Sequence, residues 1–221
     1  MSLDFSPILQ YWPFLLNGLG ITLLVSGASV LCGLAIGLVV GIWRAYGGAV
    51  ARGVLAFYID SVRAIPILVI IIWTYFALPL VIGLSIQPID AGILALSFHL
   101  GAYAAEVVRA GLLSVRPGQM RAAMALGMSR LQAIRVIVLP QALIRMLPPT
   151  GSLIVIAIKD SAIASVIAVP ELMRQSQLLA GVTYRPFEIF TTAMILYFLI
   201  LYPIARGTDR IYRKLAHLGA S

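Results

Sequence analysis

The chain is 221 residues long, 61% hydrophobic and only 11% charged, with a mean hydropathy of +1.02 and a formal net charge of +8. Charged residues form about a quarter of an ordinary soluble domain, so these values exclude one. The positive charge is gathered beside long apolar runs, which marks membrane orientation rather than nucleic-acid binding.

The first stretch without charge runs from Phe5 to Trp43. Its useful part, about 15–43, exceeds the roughly 20 residues that a helix needs to span a bilayer. Gly33, Gly37 and Gly41 form a ladder of small residues four apart, suited to close helix packing. Asp4 precedes this run with no lysine or arginine, and the run is longer than a signal core, so it is expected to persist as a membrane helix. Cys32, the single cysteine, lies inside it, which leaves no internal disulfide and no thiol zinc site.

The second span is expected over about 55–79. Asp60 and Arg63 stand three apart and can pair at its edge, and Pro66 either kinks the helix or opens its first turn. The third, about 90–113, must carry charge at one end, where Glu106 and Arg109 can neutralise each other. A loop over about 114–147 follows. Pro148 and Pro149 suit the start of a fourth span, about 148–169, and oppose a helix interior. The fifth covers about 187–205. The expected fold is an all-α, multi-pass membrane protein of five spans, forming a single domain over 1–221.

Arginine and lysine counts set the orientation. The residues before the first span carry none, the first connection has Arg44 and Arg52, and the second has none. Six arginines, Arg109 to Arg145, occupy the third, Arg174 and Arg185 the fourth, and four basic residues the tail. This places the N-terminus outside (periplasmic), the C-terminus inside and the arginine loop in the cytoplasm.

That loop holds no acidic residue. Pro117-Gly118 make a turn, and Met120 to Leu126 favour a helix with Ala122 and Ala123 keeping one patch thin. Gly127 redirects the chain, Leu131 to Leu139 can form a second short helix, and Pro140 limits it. Charge alone fits an arginine-rich helix lying on anionic lipid as well as a surface for another protein.

In the fourth span the apolar run from Met146 to Pro170 is interrupted only by Lys159 and Asp160. A charge at the bilayer centre costs about 2.5–3.5 kcal/mol on the insertion scale, so such residues face a protein interior or a wet cavity. Adjacent residues point about 100° apart on a helix, so the two satisfy each other poorly. Lys159 therefore needs another partner: a substrate carboxylate, or an acid on a neighbouring helix such as Glu106. Ser161 and Ser165, four apart, could line the same wall, and Tyr103 of the third span could close it. His99 lies in the third span and His217 in the tail; a lone histidine in a span is more often a packing or pathway residue than a ligand.

Gly101-Ala102-Tyr103, Glu106, Arg109, Val115, Gly118-Gln119, Ala122-Ala123, Leu126-Gly127, Leu139-Pro140-Gln141, Leu147-Pro148-Pro149 and Lys159-Asp160-Ser161 occur in an order that resembles the permease subunits of ABC importers. Within them the chain looks like the polar amino acid uptake subfamily, the permeases of the histidine, glutamine and glutamate type. The resemblance implies a cytoplasmic coupling helix between spans three and four, with Arg121, Ala122, Ala123, Gly127 and Pro140 at the contact with an ATP-hydrolysing partner. It implies two such ATP-binding subunits, a second permease chain that is a copy or a relative, an extracytoplasmic substrate-binding protein, and a place in the bacterial inner membrane. A polar amino acid would be held by Lys159, Asp160, Ser161, Ser165 and Tyr103. Two departures stand out. The family phrase normally opens with glutamate where this chain has Arg121, and an asparagine is common where it has Gly151.

The only lysines, Lys159 and Lys214, do not follow the glycine pattern of a phosphate-binding loop. ATP and magnesium therefore belong to the partner, and this chain is expected to bind no cofactor or metal and to catalyse nothing. The competing readings are a secondary transporter, which would call for more intramembrane carboxylates or inverted repeats, and a membrane scaffold, which has no need of Lys159.

Overall fold

The computed structural model describes residues 3–215, without the side chain of Leu215; His217 lies outside the described residues. All regular structure among them is helical. In chain order the helices are α1 (Ser6–Gln10), α2 (Trp12–Tyr46), α3 (Ala49–Ala64), α4 (Ile67–Ile82), α5 (Pro88–Leu113), α6 (Pro117–Ala125), α7 (Arg130–Ile167), α8 (Leu172–Thr183) and α9 (Pro186–Leu215). Helices α2, α5, α7 and α9 are long and apolar enough to cross a membrane, and α3 with α4, bent by 103°, together have the length and composition of a fifth, as a broken span or a re-entrant loop.

The break has a local cause. Ile65 is extended (φ −89°, ψ 130°), as a residue before proline prefers to be, and Pro66 cannot donate to a helix running through it. Of the two roles open to Pro66, it opens the first turn of α4. The expected Asp60–Arg63 pair does not form among the described residues; Arg63 instead lies over the ring of Tyr103, 5.2 Å from its centroid.

The frame of the molecule is α5 packed along α2. A β-carbon at Gly33, Gly37 or Gly41 would stand 2.9, 2.3 or 2.6 Å from Leu100, Ala104 or Val108, so the glycine ladder of α2 meets an equally spaced ladder on α5. Around it, Val25, Ile71, Leu96 and Ile167 form one buried cluster, and Leu15, Leu172 and Ile189 another. The outer faces leave leucines such as Leu31 (73% exposed) and Leu80 (85%) bare, as a lipid-facing surface requires.

Two sequence expectations about proline fail in α7. Neither Pro140 nor the Pro148-Pro149 pair ends or starts a helix; α7 begins at Arg130 and runs through all three for 38 residues. The connection between the third and fourth helical crossings therefore shrinks to 114–129, and the second short helix expected in the loop is the first part of α7. The chain accommodates Pro140 with a wide π turn over Ile134–Val138 just before it. The same device, Trp73–Ala77, precedes Pro79 in α4. A wide turn re-routes backbone bonds around a residue that lacks an N–H, and membrane helices tolerate prolines where neighbours support them. Gly151 lies just beyond the double proline, where a β-carbon would stand 2.7 Å from Thr208 of α9; an asparagine there would collide with the last helix.

Candidate functional site

Two cavities adjoin between α5 and α7, sharing Tyr103 and Leu153 on their walls. The smaller, about 180 Å³, is lined by His99, Tyr103 and Asp160 among apolar residues of both helices. The larger, about 410 Å³, adds Arg63, Glu106, Ser114, Arg145 and Pro149. An apolar hollow with a few convergent polar groups is the usual form of a small-molecule site.

The polar groups are held in order by their neighbours. The rings of His99 and Tyr103, one helical turn apart, lie 5.0 Å from each other. Tyr103 is then covered by the guanidinium of Arg63, a cation over a ring face. Glu106 and Arg109 pair as their spacing implied, with Arg109 Nε donating to Glu106 Oε2 at 3.0 Å. Glu106 is thus engaged on its own helix and is not a partner of Lys159. Arg145 donates to the backbone and side-chain oxygens of Ser114, 3.1 Å to the latter, closing one end of the larger cavity.

Tyr103 and Asp160 meet in the smaller cavity. Lys159 is exposed and lines neither cavity, since it sits one position away on α7. The expected serine wall does not form there. Ser161 is fully buried and donates to the carbonyl of Ile158 at 2.8 Å, and Ser165 is buried in the final tightened turn of α7. The steeper twist of that turn, Ala162–Ile167, breaks the four-residue register that the spacing assumed. Arg63, Glu106 and Arg145 of the larger cavity were not anticipated as site residues; only the fold brings three separate helices to one hollow.

The second constellation is the segment 114–135. Helix α6 turns Ala123 inward (4% exposed), and Met120 packs on the cluster of Leu112, Val115, Val138 and Met146. Gln141 donates to Gln119 at 2.6 Å, tying α6 to α7. Between the two helices Gly127 has φ +88°, a conformation that favours glycine. Ser129 then caps α7, accepting from the Gln132 N–H at 3.3 Å while Gln132 accepts from the Ser129 N–H at 2.8 Å. Arg121 and Ala122 are exposed, Ala123 faces inward and Pro140 is carried on α7.

A third feature left no trace in the sequence pattern. Glu171 is fully buried at the start of α8, and among the described residues it forms no ion pair. It accepts from the N–H groups of Met173 (2.9 Å) and Arg174 (2.7 Å) and from the Tyr197 hydroxyl (2.8 Å), and Thr22 of α2 receives the neighbouring Leu172 N–H at 3.1 Å. Burial pushes its carboxyl above the usual range and the hydrogen bonds pull the other way. It joins α2, α8 and α9. A single acid in a connection carries no periodic signal by which it could have been found.

The profile of one family, described as the binding-protein-dependent transport system inner membrane component, matches residues 33–217. The glutamine transport system permease protein GlnP of Escherichia coli is 38% identical over 216 residues, covering 97% of this chain and 99% of that one. The arginine transport system permease protein ArtQ of Bacillus subtilis is 31% identical over 215 residues, 97% and 98% of the two chains. Among solved structures, an amino acid ABC transporter crystallised with histidines superposes with a TM-score of 0.90 at 33% identity, covering 97% of this chain and all of that chain. A methionine ABC transporter, MetNI, shares the fold with a TM-score of 0.81 at 22% identity.

Proposed function

Since the chain belongs to the binding-protein-dependent inner membrane components of ABC importers, we propose that its paired cavities pass a polar amino acid, glutamine first, across the bacterial inner membrane. The observation that carries this reading is the pair of adjoining cavities between α5 and α7, one lined by Asp160 and His99, the other by Arg63, Glu106 and Arg145, with Tyr103 on the wall of both. A zwitterionic substrate with a polar side chain needs both signs of charge and hydrogen-bond groups inside an apolar lining.

Asp160 takes the substrate ammonium, and Tyr103 and His99 hold its polar part. Lys159, exposed on the next face of α7, serves as carboxylate anchor where a second permease chain closes over it. Ser161 and Ser165 support this wall from behind. The N-terminus is extracytoplasmic, where a substrate-binding protein delivers the amino acid, and 1–221 act as one transmembrane domain. On the cytoplasmic side two ATP-binding subunits, with their ATP and magnesium, grip the segment around Arg121, Ala122, Ala123 and Gly127.

Co-reconstitution tests the reading. Vesicles holding the permease and the ATPase it brings down, with ATP enclosed and the substrate-binding protein supplied outside, should accumulate labelled glutamine, with unlabelled glutamate, histidine and arginine as competitors. Asp160→Asn and Lys159→Ala should each lower uptake about tenfold or more, as loss of a hydrogen bond to a charged group implies, while the ATPase stays bound. Accumulation driven by a proton or sodium gradient, with no ATPase present, would refute it.

A further inference from the structure

From the outward face of the elbow between α6 and α7, we infer that its docking partner carries carboxylates opposite Arg121 and Arg130 and an apolar socket for Leu126. The inference rests on the reading above, in which a separate ATPase works this segment, and it specifies the chemistry of that ATPase's surface.

No acidic residue occurs between Glu106 and Asp160. Arg116, Arg121, Arg130 and Arg135 are all exposed, and among the described residues none stands in an ion pair. Helix α6 hides Ala123 and leaves Arg121, Ala122, Met124 and Ala125 exposed, with Leu126 at the C-cap just past its end. Leu126 is 83% exposed. Two alanines let another backbone approach closely, an arginine borders the strip at one end, and a leucine stands at the other as a peg. Arg130 and Leu131 (57% exposed) repeat charge beside leucine across the Gly127 turn.

Four unpaired cations on a short, fixed surface call for anions arranged to match them, since charge complementarity sets which partner is accepted. An anionic lipid surface could satisfy the arginines. A helix lying in lipid, however, needs a broad apolar face to bury, and on α6 Met124 (49% exposed) is the one large apolar side chain laid bare, between Arg121 and two alanines. A grooved protein with acidic margins fits the narrow strip better.

A zero-length cross-link provides the test. The tagged Arg121→Lys permease, purified in mild detergent with its ATPase, is treated with a carbodiimide. A partner carboxylate oxygen adds to the carbodiimide carbon. The lysine amine then displaces the urea, loses a proton and leaves an amide. The expected result is a peptide joining position 121 to an aspartate or glutamate of the ATPase. In parallel, Arg121→Glu and Leu126→Asp should each retain about tenfold less ATPase at roughly 0.15 M salt, while Arg213→Gln on α9 should retain as much as the unaltered chain. Undiminished retention by Arg121→Glu, with no such cross-link, overturns the inference. So does a loss confined to binding of phosphatidylglycerol vesicles. If the unaltered permease retains no ATPase at all, the importer reading itself has failed, and this inference fails with it.

Discussion

Gly37 and Gly127 stand in opposite predicaments. Gly37 has ordinary helical backbone but no space, since a β-carbon there would meet Ala104 at 2.3 Å. Gly127 has open space, with nothing within 4 Å, but a φ of +88° that side chains resist. The α2–α5 seam is therefore a region where volume is fixed, and the elbow one where direction is fixed. The seam is built to stay still, and the elbow to present a surface at a set angle while remaining uncovered. The function proposed above, in which a partner works the elbow, needs both, because a push there does work only against something rigid.

The sharpest way to break this contrast is Gly37→Leu. Its side chain would strike the backbone of Ala104 and Ala105, not merely a flexible tip. The cost should reach or pass the top of the ~1–3 kcal/mol range for overpacking, and the melting temperature in detergent should fall by about 2–4 °C per kcal/mol. A Gly37→Leu protein that stays monodisperse and melts normally would show that the seam yields.

Gly127→Ala should cost about 1–3 kcal/mol of local strain, none of it from a clash. The spans should assemble with normal circular dichroism, while ATP hydrolysis stimulated by substrate falls. If hydrolysis and uptake are untouched, the elbow angle is not what couples the two. The smallest effect belongs to Ser129→Ala, which removes the α7 cap and should cost about 0.5–2 kcal/mol. Hydrogen exchange at residues 129–132 should rise without change in the seam, and an equal rise along α2 would erase the distinction between the regions.

The seam was legible from spacing alone, because three glycines four apart can do little else in an apolar run. The elbow was legible as far as α6 and the Gly127 turn. What the sequence hid was the path of the chain through proline. Pro140, Pro148 and Pro149 read as ends of helices because the rule was formed where water satisfies a free carbonyl, whereas inside a helical bundle a wide turn carries the chain into Pro140 and the helix runs on through Pro148 and Pro149. The site was half legible. Asp160 and Tyr103 stood out as polar groups in apolar runs, and their meeting followed from α5 packing beside α7. Arg63 was assigned to Asp60 by local spacing, and its place over Tyr103 depends on the 103° bend at Pro66, which spacing does not encode. Glu171 was missed for a like reason: beyond its local bonds to the Met173 and Arg174 N–H groups, the partners that bury it lie on α2 and α9, remote in sequence.

Because α7 is unbroken from Arg130, beside the elbow, to Asp160, at the cavity wall, the two ends belong to one rod about 45 Å long at 1.5 Å per residue. Tilting such a rod moves its far tip sideways with no unfolding in between. The double proline sits about midway, where the carbonyls of Ile144 and Arg145 lose their helical donors. The rod thus has a soft joint at mid-length, next to the larger cavity. On the proposed function, in which a partner works the elbow, the stiffness of that joint sets how much of a stroke at one tip survives to the other, and how much is absorbed as bending on the way.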